Sequence, residues 1–159
     1  MTASAIDLLL RLIDQAYDHK SWHGPNLRSA LRGLSAEDAL WPPMGSFGTG
    51  HNIWEIAVHA AYWKYIVARA LTGEKRRYFP YAGANWFPRN DADATAWRRD
   101  LELLAEQHRK LRVAAAALDE RVLNKRSPRG RVTYGGLIRG IAAHDLYHAG
   151  QIRLLRVIR

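Results

Sequence analysis

Apolar side chains return at steps of three and four residues in four long stretches of the chain, the period of an α-helix buried along one face. In the first stretch Ile6, Leu10, Ile13 and Tyr17 carry the stripe, and a helix is expected from about Ser4 to Lys20. In the second, Ile56, His59, Trp63, Ile66 and Ala70 do so, from a cap at Asn52 to Thr72 or Gly73. Glu55 stands three residues after Asn52, where its carboxylate can return to the cap's backbone N–H and complete a capping box. The third stripe is the cleanest: Trp97, Leu101, Leu104, His108, Leu111, Ala115 and Leu118 predict a helix from about Ala92 to Leu118. The fourth runs from a cap at Thr133 to Arg159, with Leu137, Ile141, Ile152 and Leu155 on one face. No stretch alternates with the period of a strand, so the pattern predicts an all-α four-helix bundle, one domain over residues 1–159.

The connections differ in length and character. Short helical pieces are expected around Leu27 and Leu31, and again from a cap at Ser35 to Trp41, after which residues 42–50 read as loop. Between the second and third helices, residues 73–90 lose all periodicity but hold Tyr78, Phe79, Tyr81, Trp86 and Phe87. A connection this long in a compact domain is often functional. Its rings either form a lid over the bundle's mouth or pin the crossover to the core, and the sequence leaves both open.

Composition narrows the chemistry. With no cysteine among 159 residues, disulfides and thiolate metal sites are excluded, and a transition-metal site must use His, Asp and Glu. The same feature fits a reducing cytoplasm. Asp7 and Arg11 interrupt the first apolar run, which suits an amphipathic helix better than a signal peptide, and no stretch approaches a membrane span. The formal charge of +9 favours polyanions in general. The arginines are spread along the chain without a nucleic-acid-binding motif, so a nucleic-acid partner is not expected.

Histidines on the buried stripes supply the chemistry. His144 and His148 lie four apart on the fourth helix, so both rings can reach one point, as a pair of metal ligands must. His59 sits about 10 Å into the second helix and His148 about 16 Å before the end of the fourth, so antiparallel helices would bring them level. Three neutral imidazoles suit Zn, Ni, Fe or Cu rather than Mg or Ca. His108, on the third helix, is expected as a hydrogen-bonded core residue or a supporting group behind the ligands. Gln151, seven residues after His144, is a further supporting candidate. The pair also reads H-D-x-x-H, a relative of the H-E-x-x-H zinc motif. Asp145 is thus a candidate catalytic base toward water at the metal, although its shorter side chain favours a structural role. His19, His23 and His51 fall near helix ends or in loops and read as surface or packing residues.

These residues resemble the DinB/YfiT-like superfamily of metal-binding four-helix bundles. The resemblance covers nearly the whole chain: WHGPNL at Trp22 to Leu27, HNIWEIAVHAAYWK at His51 to Lys64, the aromatic crossover, and HDLYHAGQI at His144 to Ile152. It implies an up-down-down-up bundle with its long connection between the second and third helices. It also implies a divalent metal such as Zn or Ni held by His59, His144 and His148, and often a homodimer. Characterised relatives include S-transferases and isomerases that use low-molecular-weight thiols, so a thiol co-substrate and a small-molecule substrate are implied with the metal. A metal-dependent thiol S-transferase or hydrolase is the first expectation. The alternative is a non-enzymatic bundle that binds a ligand or partner in a stress response.

Overall fold

The computed structural model describes residues 3–20, 22–42, 50–75, 78–128 and 130–159. Among these residues there are six helices: α1 (Ala5–Tyr17), α2 (Leu27–Leu31), α3 (Ala36–Leu40), α4 (Ile53–Thr72), α5 (Ala94–Ala116) and α6 (Tyr134–Ile158). Four are long, and no strand accompanies them; a single isolated bridge joins Arg126 to Thr133. Most of the expected loop at 42–50 lies outside the described residues.

The caps explain where the helices begin. Ser4, Ser35 and Asn52 each accept from the backbone N–H three residues on, and Asp7, Asp38 and Glu55 return the bond, so α1, α3 and α4 all open with capping boxes. Thr133 caps α6 through Gly136 N–H. Gly73 ends α4 at φ 72°, a left-handed conformation that glycine adopts without strain. α1 stops at Tyr17, short of the expected Lys20, because the backbone N–H groups of Asp18 and His19 both turn back to the Asp14 carbonyl. Asn26 then fastens the exit by donating to the His19 carbonyl at 2.9 Å.

The interior has two apolar clusters, one containing Trp54, Leu104 and Ile152, the other Val67, Leu111 and Ile141. Membership changes at one level on each helix: after Ala61 on α4, after Leu104 on α5 and after Ala142 on α6. At that level the buried residues are polar: Lys64, Gln107, His108, Asp145 and His148. A polar belt therefore divides the core.

Bonds between helix ends give the directions in which they pack. Asn52, at the start of α4, donates to the Arg89 carbonyl at 3.3 Å, and Trp54 Nε1 donates to Asp100 Oδ2 at 2.7 Å. The crossover of residues 73–93 thus leaves the C-terminal end of α4 and runs back to its N-terminal end, and α5 starts beside α4's first turn. Ile6 N–H donates to Glu120 at 3.3 Å while Arg112 grips Asp14 at 3.0 Å, so α1 and α5 run in opposite directions.

Candidate metal centre

α4 brings one histidine and α6 two to the polar belt. His59 is deeply buried, His148 likewise, and His144 half-buried. The Nε2 atoms of His59 and His144 lie 3.1 Å apart, as do those of His148 and His144. Across all three residues the ligand atoms fall within 4.8 Å of one another. Nitrogens about 2.0–2.1 Å from a common tetrahedral ion are about 3.3 Å apart, close to the spacing seen.

The tautomers decide what this cluster can hold. His59 Nδ1 faces the Asn85 carbonyl at 2.8 Å, and His148 Nδ1 faces Gln151 Oε1 at 2.7 Å. Both partners only accept, so in the neutral rings each proton resides on Nδ1 and each Nε2 presents a lone pair. His144 Nε2 has at most one proton and cannot satisfy both. A cation at the common point satisfies all three nitrogens, so the residues present fit a divalent transition metal.

Electrostatics hold the rings ready. Burial pushes His144 down to about 3, with His148 and His59 adding to it, and His148 down to about 4. His59 is also lowered, by burial first, with the Asn85 bond opposing. All three rings are neutral at neutral pH, the form a metal requires.

Behind the three histidines stand residues of the crossover. Asn85 takes φ 70°, the one non-glycine residue with positive φ among those described. In that conformation its carbonyl meets His59 and its side-chain oxygen accepts from Trp63 Nε1 at 2.9 Å. The next residue, Trp86, stacks on His59 at 3.8 Å and on His51 at 3.6 Å, an indole between two imidazoles. His51 is fixed in turn by donating to Glu55 at 3.0 Å. Gln151 is positioned by its amide, which donates to Tyr147 Oη at 3.1 Å.

The remaining candidates sit elsewhere in the belt. Asp145 pairs with Lys64 of α4 rather than turning to the cluster, and both side chains are essentially without exposure. Burial raises the Asp145 carboxyl to about 6 while Lys64 pulls it back, so it is ionised at neutral pH. The Lys64 ammonium also lies 4.8 Å over the Tyr17 ring. His108 stacks on Tyr17 at 4.0 Å with Nε2 3.5 Å from Asp14, and none of its described contacts reaches the three histidines. Burial, then the Lys64 charge, pushes it down to about 3. His19 is exposed beside Asp18, and His23 is exposed. Trp86 was named from the sequence only as one of the crossover's rings, and Lys64 and Asn85 were not singled out. Of these two, Lys64 left a trace there: it falls in step with Ala57, Ala60, Ala61, Val67 and Leu71, a charge on an otherwise apolar face.

A family model of the DinB superfamily matches residues 21–152 of the chain. The chain belongs to the DinB superfamily. No curated protein and no solved structure gives a significant match. DinB-superfamily proteins bind divalent metals, and the histidine cluster of this member has the donor set to do so. The family match takes in all three histidines, the crossover and Gln151.

Proposed function

We propose that this DinB-superfamily protein is a metal-dependent enzyme of the thiol S-transferase or hydrolase type, with His59, His144 and His148 as the ligands of Zn or Ni. The observation that carries the reading is the meeting of three Nε2 atoms, two of which must present lone pairs. A bound divalent ion supplies a Lewis acid that lowers the pKa of a thiol or water. The chain's own residues keep the imidazoles neutral, fix the tautomers of His59 and His148 through Asn85 and Gln151, and cover one face of His59 with Trp86. Tyr147, whose ring is mostly exposed, holds Gln151 at the outer side. A low-molecular-weight thiol as co-substrate, a small-molecule electrophile and a homodimer belong to this reading through the family resemblance. So does the up-down-down-up topology, which the return of the crossover to the start of α4 supports.

Elemental mass spectrometry on protein purified without a histidine tag tests the reading. We expect near-stoichiometric metal in the parent and little in His148→Ala, with thiol transfer or hydrolysis lost together with the metal. Stoichiometric metal retained in the variant would sink the ligand set. Metal bound without any activity toward thiols or esters would leave a binding bundle instead.

A further inference from the structure

A cavity lies in the groove between α4 and α5, lined by none of the three histidines. It measures about 800 Å³ and is walled by Tyr65 and Ala68 of α4 and Leu103 and Ala114 of α5, with Tyr78 and Pro80 of the crossover across one end. That volume lies in the range of small-molecule sites, and such sites combine apolar walls with a few polar groups.

Two polar side chains on its lining are mostly buried, and one of them has a buried atom without a partner. Gln107 lines the cavity and is only 5 % exposed. Arg69 is 7 % exposed: one nitrogen donates to the carbonyls of Glu74 and Lys75 at 3.2 and 3.1 Å, while Nε is buried with no partner. Its guanidinium lies 5.3 Å from the Tyr65 ring, which keeps it in place. At the rim, Arg109 and Lys110 both lean on the single carboxylate of Glu106, leaving that trio one positive charge in excess. Buried polar groups without partners are costly, and a ligand that brings acceptors removes the cost. With Arg69, Arg109 and Lys110 set against the carboxylates of Glu74 and Glu106, the lining keeps a net positive charge that selects an anionic head, and the walls select an apolar body.

We propose that this groove binds an amphipathic monocarboxylate, its carboxylate taken by Arg69 and Gln107 and its hydrocarbon by the α4–α5 walls. The site is separate from the histidine cluster and does not depend on the metal chemistry.

Isothermal titration calorimetry with octanoate, and with octan-1-ol as the neutral chain of equal length, tests this. Octanoate is expected to bind with one site per chain, and octan-1-ol about tenfold more weakly. Gln107→Leu and Arg69→Gln are each expected to weaken octanoate binding about tenfold. Gln107→Leu adds no charge, so it decides alone if Arg69→Gln fails to fold. Binding unchanged in His148→Ala is expected of a separate site. No heat from octanoate in the parent overturns the proposal. So do equal affinities for octanoate and octan-1-ol, equal binding by parent and Gln107→Leu, or loss of binding in His148→Ala. None of these results bears on metal content, so the histidine reading stands or falls separately.

Discussion

Asn85 is a single residue on which two ring orientations depend. Its positive φ aims the carbonyl at His59 and the amide oxygen at Trp63. Asparagine tolerates that region because its side chain finds a local partner, whereas alanine does not. Asn85→Ala is expected to cost about 1–2 kcal/mol in urea unfolding, and to weaken metal binding about tenfold or more in a chelator competition. Asn85→Gly keeps the backbone conformation and the carbonyl, so it is expected to retain more of the metal affinity; equal loss in both variants would locate the effect in the Trp63 bond instead. Gln151→Ala, which removes the acceptor of His148 Nδ1, is expected to weaken binding by a similar factor on the α6 side.

Between elements, Lys64 and Asp145 tie α4 to α6 through a pair wholly inside the core. A buried pair adds little net stability over apolar residues of the same size, but cutting it in half leaves one charge stranded. Lys64→Met is therefore expected to lose about 3–5 kcal/mol in urea unfolding. The double variant Lys64→Met, Asp145→Leu is expected to recover much of that. A double variant as unstable as the single one would show that the pair is worth more than its burial costs. The helices themselves were legible from periodicity and caps, since Ser4, Ser35, Asn52 and Thr133 each act locally. The face α4 buries was less so. The expected stripe through Trp63, Ile66 and Ala70 is only half-buried, while Lys64, Val67 and Leu71 are buried, because α5, α6 and the crossover surround the helix on most sides. The crossover's aromatics divide between the two expected roles: Phe79, Tyr81 and Phe87 pack together against Tyr62, Tyr78 stays exposed, and Trp86 covers the histidine cluster.

Across the whole molecule the polar belt sets the response to acid. His108, His144 and His148 are neutral in the fold well below the ordinary histidine pKa of about 6.5, held at about 3, 3 and 4. The unfolded chain takes up protons first, so stability is full above the unfolded value and is lost as pH falls from there toward 4 and 3. Metal-free protein is expected to show a Tm that declines steeply across that window in calorimetry. A flat Tm between pH 6.5 and 4 would mean that the rings charge without penalty. The three histidines of the cluster could be chosen from the sequence because each lies on a buried stripe. The belt as a layer could not, since periodicity reports which face is buried and not which residues on different helices share a level. Asp145 illustrates this: its motif suggested chemistry, and only Lys64 across the interface gives it a partner.

His144 and His148 are four residues apart and are presented together as soon as one helix forms, whereas His59 meets them across 85 residues of chain. A closure of that span is expected to form late, after the helices on either side have docked. An ion bound by the three histidines would then belong to the finished fold and not to its nucleus. Stopped-flow experiments should find that saturating metal slows unfolding while leaving the refolding rate nearly unchanged.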